Sequence, residues 1–541
     1  MSVIRNPILR GFHPDPSICR VGDDYYIATS TFEWFPGVQI SHSRDLVNWR
    51  TVGQALNRKE QLDMRGNPDS GGVWAPSLSY ADGKFWLIYT DVKRLDGSSK
   101  DAHNYLVTSN TIDGPWSDPI YMNSSGFDPS LFHDDDGRKW FVNMVWNHLA
   151  TQGNPSAPSK DLFAGILLQE YDPVAQSLTG EIKNIFPGSD LGLVEAPHLM
   201  KRNGYYYLIT AEGGTGYEHA VTYARSKSID GPFELHPNTH LLRVIDEPDS
   251  PLQRTGHGQY VETPDGTPYH TYLCTRPLPG TRKSPMGRET GIARCKWGDD
   301  DWLYLASGGL VPPAQDQAPE LPPHPFEMDP ETHDFTALTE LPKTFMWPRT
   351  PEPDRIFNLT DTGLELTGRE SIGSWFEQSL VARRQTEWDC EATTKLSFAP
   401  EDFQQMAGLT AYYNRTQFHY LCVTRSPAGH RALNIQSSHS WPEGTLTFPL
   451  DEMVEIPEDG PLWLSLKITH GKLQFNYSLD GETYQTIGPE LDAEILSDEG
   501  VRGEHSNFTG TFIGVAAQDL TGRAKTATFE HFTLKNLPAA N

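Results

Sequence analysis

One pattern of apolar and polar positions recurs five times in the first half of the chain. Each copy begins with a residue that is followed by proline or glycine. An apolar residue, a turn that contains Gly or Asp, and a strand rich in aromatic residues come next. The first copy, Asp15-Pro-Ser-Ile-Cys-Arg-Val, and the second, Ala75-Pro-Ser-Leu-Ser-Tyr, are typical. The copies lie roughly 60 residues apart, close to the spacing of propeller repeats. The pattern therefore predicts an all-β chain that begins with a five-bladed β-propeller over residues 1–315.

The same repeat predicts a common site. In a propeller the first strand of every blade lines the central channel, so residues at the start of each copy should converge on one axis. Three carboxylates, one indole and one imidazole stand at these positions, namely Asp15, Trp74, Asp128, Glu195 and His257. We expect them to share one pocket.

The chain changes character after the repeats. Residues 316–333 are rich in proline and predict an extended linker. Residues 334–541 alternate apolar and polar positions over short segments, as in Trp463-Leu-Ser-Leu-Lys-Ile-Thr, which predicts an antiparallel β-sandwich. Such a domain is either a separate carbohydrate-binding module or a partner that packs on the propeller and completes its site. The pattern alone leaves both alternatives open.

Charge and cysteine content narrow the function classes. The formal net charge of −27 would repel nucleic acid and anionic membranes, whereas a neutral oligosaccharide is indifferent to it. The five cysteines are scattered, without a Cys-x-x-Cys pair, and do not suggest a disulfide framework. No apolar run has the length of a signal peptide or of a membrane helix. We therefore expect a cytoplasmic protein that binds neither nucleic acid nor membranes.

The three carboxylates suggest glycosidic bond hydrolysis, which needs one acid and one carboxylate that activates water or attacks carbon. Asp15 lies between two prolines and Asp128 precedes one, so either alone would be an ordinary turn residue. Glu195 follows two apolar residues and would be costly to bury without a purpose. A neighbouring carboxylate would raise the pKa of the acid, which gives the third residue a role as modulator. The residues by themselves do not assign the three roles.

Longer segments resemble a known family, glycoside hydrolase family 43, and specifically its two-domain β-xylosidases. The resemblance spans nearly the whole chain and includes Asn6-Pro-Ile-Leu-Arg-Gly-Phe-His-Pro-Asp-Pro-Ser, Gly66-Asn-Pro-Asp-Ser-Gly-Gly-Val-Trp-Ala-Pro, Glu195-Ala-Pro-His-Leu, Gly287-Arg-Glu-Thr and Phe508-Thr-Gly-Thr-Phe-Ile-Gly. It implies that Asp15 is the general base, Asp128 the pKa modulator and Glu195 the general acid. It also implies inversion at the anomeric carbon, without a covalent intermediate, and a second domain of the jelly-roll, concanavalin-like kind.

The resemblance implies substrate-binding residues as well. Phe32 and Trp74 match aromatic walls of the terminal sugar pocket, and Arg288 matches an arginine that contacts sugar hydroxyls. Phe508 matches a residue of the second domain that closes the pocket. His257 matches an axial histidine that some relatives associate with calcium or a water cluster; calcium prefers oxygen ligands, and no cofactor is expected to be required. Relatives are often dimers or tetramers, which predicts a homo-oligomer.

The expected function is that of an exo-acting β-1,4-xylosidase, which releases xylose from the non-reducing ends of xylooligosaccharides. An α-L-arabinofuranosidase, as main or side activity, is the first alternative, because the same carboxylates could cleave either linkage. A non-catalytic, sugar-binding propeller is a remote alternative. It would lack at least one of the three carboxylates, and all three are present.

Overall fold

The structure, a computed structural model, describes residues 2–95, 97, 99–154, 156, 158–439, 445–500 and 507–538. Nearly all regular structure in these ranges is β-strand. The helical segments described are one short α-helix, Ser159–Leu162, and the 3₁₀ turns His148–Thr151, Phe335–Ala337, Pro353–Arg355 and Ala493–Ile495.

The predicted five-bladed propeller is confirmed. Each blade is an antiparallel sheet whose strands follow chain order, with one additional short strand in the fifth. From the first blade to the fifth, the strands are Ser17–Val21, Asp24–Thr29, Gly37–Ser43 and Arg50–Leu56; Gly72–Ala81, Lys84–Arg94, Asp101–Ser109 and Ile120–Asn123; Ser130–His133, Lys139–Trp146, Phe163–Asp172 and Ser177–Phe186; Glu195–Arg202, Tyr205–Glu212, Ala220–Ser226 and Glu234–Arg243; and Gln253–Gly256, Tyr260–Glu262, Pro268–Thr275, Glu289–Trp297 and Leu303–Leu305.

The first and fifth blades meet to close the ring. The hydroxyl of Ser17 donates to Oε1 of Gln259 at 2.7 Å. The N-terminal strand Val3–Arg5 lies outside the blades and pairs with Gln315–Gln317. The side chain of Asn6 then accepts from the main chain of Ile292 in the fifth blade. The two ends of the propeller segment are therefore fixed beside each other.

The predicted sandwich is also confirmed. Its two antiparallel sheets enclose a core of side chains from both faces, among them Leu409, Phe475 and Phe529. One sheet contains Thr332–Asp334, Phe357–Thr360, Gly363–Thr367, Cys390–Ser397, Leu462–Thr469, Lys472–Ser478, Gln485–Asp492 and Thr526–Asn536, and the other Ser379–Arg384, Gln405–Asn414, Gln417–Arg425, Arg431–His439, Leu446–Thr447, Val454–Glu455 and Phe512–Asp519. Between the two domains, residues 318–331 form neither strand nor helix.

Apolar contacts join the sandwich to the propeller. A two-residue strand in the connection between the second and third strands of the first blade, Trp34–Phe35, pairs with Trp347–Pro348. The ring of Trp34 stacks on Phe512 of the sandwich, with ring centroids 3.6 Å apart. These rings belong to a continuous buried cluster of side chains from both domains. Burial of such large aromatic surfaces favours one fixed arrangement of the domains.

Buried ion pairs add to this contact. The guanidinium of Arg349 donates to Asp69 at 2.7 Å, to Gln378 at 3.0 Å and to the carbonyl of Asn67 at 2.8 Å. Because the Arg349 side chain is wholly buried, its charge depends on Asp69 for compensation.

All five cysteines are buried free thiols, which agrees with the expected absence of a disulfide framework. In the part of the chain that the structure describes, no helix has the length and apolar character needed to cross a membrane. The cytoplasmic location stays a prediction.

Replacement of Arg349 should destabilise the protein strongly. Arg349→Leu leaves the carboxylate of Asp69 buried without its main partner, and we expect a loss of about 3–5 kcal/mol in the free energy of unfolding, measured with urea. Arg138→Leu is the matched control because it breaks an exposed pair with Asp136, which should cost at most about 1 kcal/mol. Equal losses in the two variants would contradict the importance of the buried pair.

Candidate active site

A cavity of about 490 Å³ lies where the blades converge, and all eight site residues predicted from the sequence line it. They are Asp15, Phe32, Trp74, Asp128, Glu195, His257, Arg288 and Phe508. Seven come from the propeller and Phe508 comes from the sandwich. The sandwich thus forms part of the wall of this cavity.

The backbone has the same unusual conformation at the start of each repeat. In all five copies the residue before the proline or glycine has a positive φ: 56° at Asp15, 34° at Ala75, 54° at Asp128, 53° at Ala196 and 35° at His257. Such conformations are strained in residues other than glycine and cluster at functional sites.

This register corrects one detail of the sequence interpretation. Trp74 and Glu195 are not equivalent to Asp15 but stand one position earlier, next to Ala75 and Ala196. An irregularity in strand register follows each of them, between Trp74 and Ser77 and between Glu195 and His198. Because a β-bulge re-aims side chains, adjacent repeat positions can supply groups to the same cavity.

Asp15 is held as a carboxylate. Its Oδ1 accepts from Nη1 of Arg288 at 2.9 Å, and its Oδ2 accepts from the hydroxyl of Ser30 at 2.6 Å. Burial opposes ionisation, but the charge of Arg288, helped by His257 and the Ser30 hydrogen bond, outweighs it and lowers the pKa of Asp15. Asp15 is therefore ionised at neutral pH.

Asp128 and Glu195 behave in the opposite way. Burial, followed by repulsion from Asp15, raises the pKa of Glu195. Burial, followed by repulsion from Glu195, raises the pKa of Asp128 well above its ordinary value, although its Oδ2 accepts from the N–H of Ala196 at 3.2 Å. Because these two carboxyl groups interact, they titrate as a pair, and the pair retains a proton at neutral pH.

His257 is neutral at physiological pH. Burial and the nearby guanidinium of Arg288 lower its pKa to about 4, despite the opposing effect of Asp15. Its Nδ1 lies 3.6 Å from Oδ1 of Asp15, an oxygen that already accepts from Arg288. Calcium needs several oxygen ligands, and no group of three or more His, Cys, Asp or Glu side chains in the described ranges is placed to hold a metal ion.

Aromatic side chains form one wall of the cavity. The ring of Phe508 lies 5.8 Å from that of Trp74 and 6.2 Å from that of Phe32, measured between centroids. Phe127 meets Trp74 edge to face at 5.3 Å. The wall thus combines rings from three blades and from the sandwich.

Several lining residues were missed by the sequence analysis, including Lys100, Trp146 and Phe163. The ammonium of Lys100 donates to the carbonyl of Leu95 at 2.6 Å and lies 4.5 Å from the ring centroid of Trp146. Lys100 precedes the third strand of its blade, Trp146 ends a second strand and Phe163 begins a third strand. All three lie outside the repeated pattern, so the pattern did not predict them. Ser30, which fixes Asp15, was missed for the same reason.

Comparison with known proteins identifies the family. The sequence model of "Glycosyl hydrolases family 43" matches residues 4–303. That of the "Beta xylosidase C-terminal Concanavalin A-like domain" matches residues 332–535. The chain belongs to glycosyl hydrolase family 43. The resemblance noted in the sequence is thus confirmed, and with it the expectation of a glycoside hydrolase.

Individual members of family 43 are similar over nearly the full chain. "Xylosidase/arabinosidase 43B" of Humicola insolens is 57% identical, with 98% of this chain and 97% of the relative covered. "Beta-xylosidase" of Bacillus subtilis is 46% identical, with 98% and 99% covered. The crystal structure of xylan beta-1,4-xylosidase from Bacillus halodurans C-125 superposes with a TM-score of 0.94 at 50% identity, covering 98% of this chain and 100% of that one.

Asp128→Asn should be more stable to urea than the wild-type protein, by an amount that grows as pH rises. A carboxyl group whose pKa is raised by folding binds more protons in the folded state, so wild-type stability falls between its unfolded pKa, near 4, and its folded pKa. Asparagine cannot ionise but can still accept from Ala196. We expect the advantage of the variant to grow between pH 5 and pH 8, by at most about 1.4 kcal/mol per pH unit.

Asp136→Asn provides the control for this measurement. The pKa of Asp136 is lowered by its hydrogen bonds to Arg138, so neutralisation should bring no gain at any pH. An Asp128→Asn advantage that is independent of pH would contradict the raised pKa of Asp128.

Proposed function

We propose that this family 43 enzyme is an inverting, exo-acting β-1,4-xylosidase that releases xylose from the non-reducing ends of xylooligosaccharides. The observation that supports it most directly is the pair of buried carboxyl groups in one cavity with opposite pKa shifts, lowered at Asp15 and raised at Glu195. Glycosidases assign base and acid roles to carboxyl groups in this way. The names of the relatives add the substrate class.

In the proposed reaction Asp15 is the general base. Already ionised, it accepts a proton from a water molecule as the water oxygen bonds to the anomeric carbon. Ser30 and Arg288 fix the two carboxylate oxygens, so the orientation of the base does not depend on substrate. Glu195 donates its proton to the glycosidic oxygen as the carbon–oxygen bond breaks. One displacement by water would invert the anomeric carbon.

Asp128 is the proposed modulator. A second carboxyl group that interacts with Glu195 makes it unfavourable for both to ionise, which favours the protonated pair before bond cleavage. The hydrogen bond from Ala196 holds Asp128 next to the backbone of Glu195. Asp128 would thus set the protonation state and the position of the acid without itself transferring a proton.

The remaining lining residues suit a pyranose. Phe32, Trp74 and Phe508 offer ring faces to its C–H groups, and Arg288 offers hydrogen-bond donors to its hydroxyls. Arg288 lines the cavity and is held there by its hydrogen bond to Asp15. Because Phe508 brings the sandwich to the cavity wall, we propose that the pocket accepts a chain end and releases one unit.

An α-L-arabinofuranosidase activity is the second candidate. It is favoured by the name of the Humicola insolens relative, xylosidase/arabinosidase. Relative kcat/KM on 4-nitrophenyl β-xyloside and 4-nitrophenyl α-arabinofuranoside separates the two activities, and we expect the xyloside to be preferred.

Substitution of the acid and of the base should have different effects. Asp15→Asn should lower kcat by at least about 10³-fold on both xylobiose and 2,4-dinitrophenyl β-xyloside, because both reactions need the base. Glu195→Gln should lose a similar factor on xylobiose but much less on the dinitrophenyl substrate, whose leaving group departs without protonation. Steady-state kinetics on both substrates is the measurement. The reverse pattern would exchange the two roles, and full activity of either variant on xylobiose would refute them.

The stereochemistry of the first product tests inversion. Proton NMR of a xylobiose digest should show α-xylose first, followed by mutarotation, because one displacement at a β-linked carbon gives the α-anomer. Initial formation of β-xylose would mean retention of configuration and would rule out the proposed single step.

A further inference from the structure

Ser70 connects the two domains at the aromatic wall of the cavity. Its hydroxyl oxygen accepts from the main-chain N–H of Phe508 at 3.1 Å. Its carbonyl accepts from the indole N–H of Trp74 at 2.8 Å. Ser70 thus binds both the side chain of Trp74 in the propeller and the main chain of Phe508 in the sandwich. The two rings lie 5.8 Å apart.

Hydrogen bonds among buried residues fix the position of Ser70. Its main-chain N–H donates to Oε2 of Glu33 at 3.0 Å, and the carbonyl of Glu33 accepts from the N–H of Arg349 at 2.8 Å. The guanidinium of Arg349 binds Asp69, the residue before Ser70. Glu33, Asp69, Ser70 and Arg349 are all buried. The position of Ser70 is therefore fixed by a buried network that does not touch the cavity.

The backbone of Ser70 is left-handed, with φ of 62°. Glycine adopts this conformation more easily than serine, but glycine has no hydroxyl group. Without the Ser70 hydroxyl, the N–H of Phe508 would lose its acceptor next to the cavity. The chemistry of the position therefore favours serine in spite of the strain.

We propose that Ser70 is a positioning residue, which sets the distance and orientation of Trp74 and Phe508 and so determines the fit of the terminal sugar. This inference rests on the proposed use of the cavity as the sugar pocket. Ser70 does not line the cavity and transfers no proton. Its loss should therefore weaken binding of the ground state and of the transition state alike, which raises KM and leaves kcat nearly unchanged.

The test compares Ser70→Ala with Ser70→Gly. Both variants lack the hydroxyl group, but only glycine relieves the left-handed strain, so their stabilities should differ while their kinetics agree. For both, we expect KM for 4-nitrophenyl β-xyloside and the inhibition constant of xylose to rise by about three- to tenfold, as for the loss of one hydrogen bond. The change in kcat should stay below about twofold.

Ser43→Ala is the matched control. The buried hydroxyl oxygen of Ser43 also accepts from a main-chain N–H, that of Leu46 at 2.9 Å, but it does not contact the cavity wall. KM should not change in this variant. An unchanged KM in both Ser70 variants, an equal rise in Ser43→Ala, or a KM that follows stability rather than the hydroxyl would overturn the proposal.

Trp74→Ala separates this inference from the proposed function. If Trp74→Ala raises KM and the Ser70 variants do not, only the positioning role fails. If Trp74→Ala also leaves KM and xylose inhibition unchanged, the assignment of the cavity as the sugar pocket fails, and the positioning role fails with it.

Discussion

The guanidinium of Arg288 joins the two halves of the site. One nitrogen donates to the carboxylate of Asp15 and another to the carbonyl of Phe508, at 2.9 and 3.2 Å. The same charge lowers the pKa of Asp15 and of His257, and it acts against the raised pKa of Glu195. The charge pattern of the cavity and the placement of the sandwich segment thus depend on one buried cation.

This dependence explains why the second domain is packed so firmly. A shift of the sandwich would move the carbonyl of Phe508 away from Arg288 and its N–H away from Ser70. The stacked rings of Trp34 and Phe512 and the pair of Arg349 with Asp69 resist such a shift. Fixed polar groups are most effective when little has to reorganise during the reaction. In the proposed reaction the domain contact therefore matters as much as the blades do.

The repeat predicted the fold and the inner part of the site because it marks equivalent strand starts. Asp15 and Asp128 could be placed in this way, as could Trp74 and Glu195, which directly precede Ala75 and Ala196. Arg288 and Phe508 lie outside the repeat and were found only through family resemblance. Neither approach found Lys100 or Ser70, because their roles depend on the path of irregular segments. The pKa directions also required coordinates, since they result from burial and distance.

The positive φ angles at the blade starts and the buried carboxyl groups both lower the stability of the folded protein. Strained residues at all five blade starts and acids kept from ionising would each make a folded chain less stable. Such features persist only when the surrounding structure fixes them, and here five blades and a second domain do so. At two blade starts the strained residue is bonded to the preceding blade, because the N–H of Ala75 donates to the hydroxyl of Ser30 at 2.7 Å and that of Ala196 to Asp128 at 3.2 Å. Closure of the ring therefore helps to hold strained residues at the axis, where the proposed acid and base lie.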